Sequence, residues 1–202
     1  SEFNTAVRTI NAHFPGMNTL EIVLEGTVDV DHFNYRIART PEAVRVVNEL
    51  QRHLEADSEL APRATLSFSD YMAETNRLLA GGNPKWRSLD LNAEATNAAG
   101  VGVTLGTSPI NLLHVVDFNL KHATVTAWYQ DVNQKTIDAA LASARRAVAA
   151  VGIEHKEFRI RLATGSIALQ QAMNSVVERY HWFILGLLNC AVLVIAAYAY
   201  RS

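Results

Sequence analysis

The residue types that most often perform chemistry are present in this chain of 202 residues, but they are scattered along it. None of the seven histidines stands in the HExxH spacing or in another spacing typical of a metal site: His13, His32, His53, His114, His122, His155 and His181. The single cysteine, Cys190, excludes an intramolecular disulfide and every zinc site built from several cysteines. We therefore expect surface or interface histidines, and no metal or other cofactor.

Two short segments contain residue types that support catalysis in other proteins. Ser166 follows Gly165, but the surrounding sequence ATGSIAL lacks the GxSxG turn that exposes a nucleophilic serine, so we expect Ser166 to cap a helix. Asp29 and Asp31 form a candidate carboxylate pair, yet they lie in a polar linker without a second catalytic motif. The sequence therefore predicts no enzymatic activity.

Composition and glycine spacing argue against nucleic acid and nucleotides as ligands. The net charge is −2 and only 19% of the residues are charged, whereas nucleic-acid-binding modules carry strongly basic surfaces. Gly100, Gly102 and Gly106 have the spacing GxGxxxG rather than the dinucleotide-binding GxGxxG, and no capped helix follows Gly106. We interpret this segment as a mobile loop.

The C-terminal segment has the composition of a membrane-spanning helix. From Tyr180 to Tyr200 no residue is formally charged, and all 20 acidic and 17 of the 18 basic residues precede this segment. As a helix it would be ~31 Å long, which matches the hydrocarbon core of a bilayer. Aromatic rings near both ends, such as Trp182 and Tyr198, suit the two membrane interfaces. The lipid bilayer is thus a predicted partner.

One side of this helix is predicted to pack against other transmembrane helices. It combines small residues with the only amide of the segment, at helical spacing: Gly186, Asn189, Cys190, Leu193, Ala196 and Ala197. Small residues allow helices to approach closely, and an amide in hydrocarbon seeks a hydrogen-bond partner. We expect Leu185, Leu188, Val192 and Ile195 to lie away from that partner.

Flanking charges predict the orientation of the helix. Arg201 follows the helix directly, whereas the opposite charges of Glu178 and Arg179 before it cancel each other. The positive-inside rule therefore places Ser202 in the cytoplasm. Residues 1 to about 178 would then be periplasmic or extracellular. The chain begins without Met and stops just after the helix, which we interpret as a piece of a larger protein.

The preceding residues predict an α+β domain with two amphipathic helices. Alternation of apolar and polar residues predicts five strands, at 20–25, 66–69, 116–121, 124–129 and 158–163. Each predicted strand has one apolar and one mostly polar face, which favours an antiparallel or mixed sheet covered on one side. Thr40, Pro41 and Glu42 are typical of a helix start, predicting a helix over 41–56. A stripe from Ile137 through Leu141 to Val151, followed by Gly152, predicts a second helix over 134–151.

The order of these elements resembles a known unit once an insertion is set aside. Residues of about 71–113 separate the second and third strands, and we expect a short helix there over 71–79 and a further helical turn over 93–99. Without this insertion and one hairpin strand, the order is βαββαβ, which is ferredoxin-like.

A single helix is predicted to join the domain to the membrane. No proline and no glycine interrupt the chain from Ser166 until Gly186, and the apolar pattern continues into Tyr180. A helix over 166–200 would be ~52 Å long, about 20 Å longer than the membrane core. We therefore expect a stiff mounting, with a coupling element at 174–179.

Both ends of the chain resemble a transporter family. The opening SEFNTAVRTINAHFPGMNTLEIVLEG, with its turn at Phe14, Pro15 and Gly16, resembles the start of a periplasmic loop in resistance-nodulation-division (RND) permeases of the MMPL-like predicted-exporter branch. The tail, from the glycine of GSIALQQAMNS through the aliphatic helix to Arg201 and Ser202, is similar to the exit of such a loop into the next span. The resemblance covers essentially the whole chain.

The resemblance implies an organisation and a function. Residues 1–18 would lead in from a preceding span, 19–165 would form a ferredoxin-like porter domain in the periplasm, and 166–202 would continue into a span of the bacterial inner membrane. Family members export hydrophobic or lipid-like molecules and are driven by protons, which acidic residues in spans outside this chain relay. Other transmembrane helices of the permease would be partners, homo-oligomer formation stays open, and no substrate-binding residue is assigned.

Two other interpretations fit the same pattern. One is a single-pass, membrane-anchored periplasmic sensing or binding domain that signals through its helix. The other is a translocation accessory resembling SecD or SecF, which also mount ferredoxin-like domains on membrane spans. The number of further spans in the complete reading frame separates the permease from a single-pass anchor.

Overall fold

The computed structural model describes residues 2–28 and 36–201. Its helices are α1 (Glu2–His13), α2 (Pro41–Glu55), α3 (Phe68–Leu79), α4 (Ala93–Gly106), α5 (Gln134–Val151) and α6 (Ser166–Ala199). Its strands are β1 (Asn18–Gly26), β2 (Ala64–Leu66), β3 (Ala123–Tyr129) and β4 (Phe158–Thr164). Short 3₁₀ turns cover Ile37–Arg39, Pro84–Arg87 and Pro109–Leu112.

The four described strands form one antiparallel sheet in the order β2-β3-β1-β4. The central strand β1 pairs with β3 from Asn18 opposite Tyr129 to Leu24 opposite Ala123. On its other side β1 pairs with β4, and the register shifts between Glu21 and Ile22. The predicted α+β class is therefore confirmed.

The core lies between one face of the sheet and the two predicted amphipathic helices. Leu20, Ile22 and Leu24 of β1 are buried as their alternation predicted. The Thr40 hydroxyl accepts a hydrogen bond from the Ala43 N–H at 3.3 Å, which fixes the start of α2 where the sequence placed it. Along α5 the buried stripe includes Ala140 and Ala147, while Leu141 is only partly buried.

The strand predicted at 116–121 is wrong. Val116 forms only an isolated bridge with Ala123, and the chain turns through Leu120, whose φ is 52°. The Asp117 Oδ1 accepts the backbone N–H groups of Lys121 and His122 at 2.7 and 2.9 Å. These local side-chain bonds satisfy the backbone in a turn, so the ladder that the apolar alternation suggested does not form.

The strand predicted at 66–69 is confirmed only at Leu66, because β2 covers Ala64–Leu66. β2 ends at Leu66, because Ser67 starts a capping box in which its backbone N–H is bound by the Asp70 carboxylate at 2.8 Å. Phe68 therefore belongs to α3, which begins before the predicted 71–79 helix and ends at the same residue.

The glycine-rich segment is a helix and not the mobile loop that we expected. α4 continues through Gly100 and Gly102 to Gly106. A Cβ at Gly100 would overlap the Arg39 side chain, and one at Gly102 would overlap Thr75. The glycines thus allow α4 to lie close against its neighbours, which outweighs their low helix propensity.

Candidate functional site: the membrane helix and its mounting

The C-terminal helix α6 is long and apolar enough to span a membrane, and none of its most apolar part is buried by the described residues. Its 34 residues give a length of about 51 Å, so it is longer than a bilayer core. The helix runs without a break from the sheet into the apolar segment, as the sequence predicted. Membrane anchoring is the function class that this element supports.

The first turn of α6 is fixed to the start of the central strand β1. Ile167 is fully buried in the domain core. Gly165 precedes the helix with φ 97°, and a Cβ there would overlap the backbone carbonyl of Thr19, so this position requires glycine. The helix therefore starts from a tightly packed turn, which fixes its direction relative to β1.

Ser166 does not cap the helix as expected. It is the first helical residue, Gly165 occupies the cap position, and the Ser166 hydroxyl accepts the Thr19 N–H at 2.9 Å. The oxygen is thus committed to the backbone of β1. This bond is a second tie between the sheet and the membrane helix.

A cluster of four amide side chains ties the next turns of α6 to the start of α5. Gln134 donates from Nε2 to Gln171 Oε1 at 3.0 Å and accepts from Asn174 Nδ2 at 2.7 Å. Gln170 donates to Asn174 Oδ1 at 3.0 Å. We call these residues the amide cluster. The sequence analysis missed it, although Gln170, Gln171 and Asn174 stand at helical spacing.

The contact between α6 and the domain ends at Asn174, the first residue of the coupling element predicted at 174–179. Asn174 belongs to the amide cluster, whereas the residues 175–179 are exposed. The mounting is therefore the segment 166–174, and 175–179 is a solvated helical turn between the mounting and the apolar segment. Bending of that turn would separate the motion of the domain from that of the span.

The six predicted packing residues lie on the exposed span, where nothing in the described part of the chain tests their partners. Asn189 donates from Nδ2 to the Leu185 carbonyl at 2.8 Å, so one amide proton is satisfied within α6. Cys190 is exposed.

The structure does not bring the other candidate residues together. His155 contacts Glu42, His122 accepts the Gly26 N–H, and His114 lies beside Tyr71. Within 2–28 and 36–201, no three His, Cys, Asp or Glu residues are grouped as a metal site would need. Asp29, Asp31 and His32 lie outside the described residues.

Comparisons with known proteins identify no relative. No protein-family model matches the chain, and neither a curated protein nor a solved structure matches it.

Arg39 is a second feature that the sequence analysis missed. It ends the 3₁₀ turn before α2 and is 8% exposed, and its Nε is buried with no hydrogen-bond partner. Two clefts meet at Arg39 and Arg36. A buried cation is not marked by any sequence motif, because its burial depends on α4 lying across it.

Proposed function

We propose that this chain is the periplasmic porter domain and adjoining span of a proton-driven RND-type exporter of hydrophobic or lipid-like molecules. The observation that carries the proposal is the rigid mounting of α6, which Ile167, the Ser166 hydroxyl and the amide cluster attach to the domain. An alternating-access transporter needs a domain and a span that move as one body. The proposal assigns the chain no enzymatic activity.

The sheet topology supports a ferredoxin-like assignment for the domain. The strand order β2-β3-β1-β4, with α2 between β1 and β2 and α5 between β3 and β4, is the antiparallel arrangement that a βαββαβ unit adopts. In this assignment α3 and α4 form the insertion between β2 and β3.

The span supports the proposed location and partners. The orientation that follows from Arg201 puts the domain in the periplasm and the C-terminus in the cytoplasm of a bacterial inner-membrane protein. The side of α6 with Gly186 and Asn189 would pack on other helices of the permease. Exposed apolar side chains on the segment between β2 and β3, such as Leu105 and Phe118, suit hydrophobic molecules.

Export of a lipophilic fluorescent probe tests the proposal in cells that express the complete protein. We expect expression to lower probe accumulation and a protonophore to abolish the difference. Replacing Ser175 and Val176 by glycine costs the helix about 1 kcal/mol per residue and loosens the turn beyond the mounting. We expect this variant to insert normally and to export less probe per inserted molecule.

A matched glycine pair on the exposed side of α2, at Arg52 and His53, controls for helix destabilisation away from the mounting. Equal export by the two variants would show that α6 only tethers the domain. Probe accumulation that is unaffected by expression would contradict export and favour the anchored sensing domain, which the clefts beside Arg39 also suit.

A further inference from the structure

Arg39 is a buried cation without a counterion in the described part of the chain. No ion pair among those residues includes it, and its Nε has no hydrogen-bond partner. Burial, and then the nearby charge of Arg36, lower the pKa of Arg39 from its usual value. An arginine nevertheless stays protonated in proteins, so a positive charge that no ion pair among the described residues neutralises lies where the two clefts meet. Such a charge destabilises a fold unless something pairs with it.

The surroundings of Arg39 are built to hold it in this position. Gly100 of α4 has no side chain, and a Cβ there would overlap Cγ and Cδ of Arg39. Arg36 lies beside it and donates to the Asn119 carbonyl at 2.8 Å. The absence of a side chain at position 100 thus leaves space for the aliphatic part of the Arg39 side chain against α4.

Two clefts lie along one face of α4 on either side of this position. The cleft toward the C-terminal end of α4, which we call the apolar cleft, has a volume of about 290 Å³ and is lined, besides Arg36 and Arg39, mainly by apolar residues such as Val101, Leu105, Leu112 and Phe118. The other cleft, of about 580 Å³, is lined by three carboxylates: Glu42, Glu94 and Glu157.

The charges on the walls decide which cleft suits an anion. On the walls of the larger cleft three glutamates outnumber Arg36 and Arg39, so its net negative charge disfavours an anion. Among the described residues that line the apolar cleft, the one acid is Asp117, whose Oδ1 is already bound by the N–H groups of Lys121 and His122. The volume of the apolar cleft is close to the lower end of the range for small-molecule sites, and mostly apolar walls with a few polar or charged groups are typical of such sites.

We propose that the apolar cleft binds a small organic anion with an apolar body, whose carboxylate or phosphate pairs with Arg39. The planar guanidinium presents paired donors that match either head group. The apolar body contacts the walls that Leu105 and Phe118 provide. This site goes beyond the proposed transport function. The observations that support it do not involve the membrane helix, and binding at the site is tested without any measurement of export.

Photolabelling of the full chain in phosphatidylcholine nanodiscs tests the site. The probe is decanoate with a diazirine near the end of its chain, and mass spectrometry locates the labelled peptides. We expect labelling within 101–118. Excess decanoate or decyl phosphate should compete, and comparing the two identifies the preferred head group. Decanol and inorganic phosphate should not compete, since each lacks one half of the ligand.

Two pairs of variants separate recognition from folding. Arg39→Met should reduce labelling about ten- to a hundredfold, as expected for loss of a charge-assisted bond, and should not lower the melting temperature. Arg45→Met removes an exposed arginine from α2 and should label like wild type. Leu105→Glu places a carboxylate on the cleft wall at a residue that is 83% exposed, and should reduce labelling without unfolding. Leu79→Glu, at a residue 76% exposed outside this cleft, is its control.

Three results would overturn the proposal. Labelling that Leu105→Glu leaves unchanged would exclude the apolar cleft. Competition by decanol as strong as that by decanoate would show that the anionic head is not recognised. Competition by inorganic phosphate as strong as that by decyl phosphate would show that the apolar body is not recognised. A failure of probe export in cells would leave all of these measurements unaffected.

Discussion

At the residue scale, two buried charges have opposite environments. The Asp57 side chain is 7% exposed and is held by Arg146, which donates to both carboxylate oxygens at 2.8–3.1 Å. Arg39 has no equivalent partner among the described residues. Asp57 therefore stabilises the junction between the end of α2 and α5, whereas Arg39 is free to pair with a ligand.

The Asp57 pair makes the stability of the domain sensitive to acid. Burial acts to raise the pKa of Asp57, but the hydrogen bonds from Arg146 and from the backbone of Leu60 and Glu59 outweigh it and lower the pKa to about 2. The folded-state pKa is thus below the ordinary value of 3.8. A lowered acid pKa stabilises the fold above the unfolded-state value, and this contribution is lost as the pH falls toward 2.

We expect Arg146→Gln to lower the melting temperature at neutral pH. The melting temperature of this variant should also fall less than that of wild type between pH 4 and 2, the range between the ordinary and the folded-state pKa of Asp57. Arg145→Gln, on the neighbouring exposed residue, should keep the wild-type profile. Thermal unfolding followed by circular dichroism across this window measures both. Parallel profiles for wild type and Arg146→Gln would contradict the assignment of the pair.

At the element scale, α5 connects the core of the domain to the membrane helix. Its inner side is buried through Ile137 and Ala144, and its first residue, Gln134, belongs to the amide cluster. Loss of packing under α5 would therefore weaken both the fold and the mounting of α6.

Ile137→Ala tests this packing. Ile137 is fully buried, and truncating such a side chain to alanine typically costs about 2–5 kcal/mol because a cavity remains. We expect a clear decrease in the unfolding free energy, measured by denaturant unfolding. Arg145→Ala on the exposed side should change it by less than about 0.5 kcal/mol. Equal effects from the two substitutions would show that the inner side of α5 is wrongly placed.

At the scale of the whole molecule, the proposal depends on the side of the membrane that the domain occupies. The charge of Arg201 predicts a periplasmic domain. In a Cys190→Ala background, we expect a small membrane-impermeant thiol reagent to label Lys156→Cys, on the exposed surface of the domain, in intact bacteria. Ser202→Cys should react only after the membrane is permeabilised. The opposite pattern would place the domain in the cytoplasm and exclude the exporter model.

The sequence by itself predicted the elements whose signals are local. The alternation in β1, the Thr40 cap of α2, the Gly152 end of α5 and the long uninterrupted α6 all depend on residues that are close in the chain. Local patterns failed where two local signals compete. Apolar alternation at 116–121 predicted a strand, but the Asp117 carboxylate stabilises a turn there instead.

Only the tertiary structure decided the features that depend on distant parts of the chain. The need for glycine at position 100 arises from the close approach of Arg39, 61 positions earlier. The role of the Ser166 hydroxyl depends on Thr19, and the amide cluster depends on α5 lying beside α6. Such contacts arise from burial and close approach across the sheet, which spacing along the chain does not record. Composition alone predicted the span. The contacts that attach it to the domain and the burial of Arg39 depend on how the elements pack together, so the sequence did not predict them.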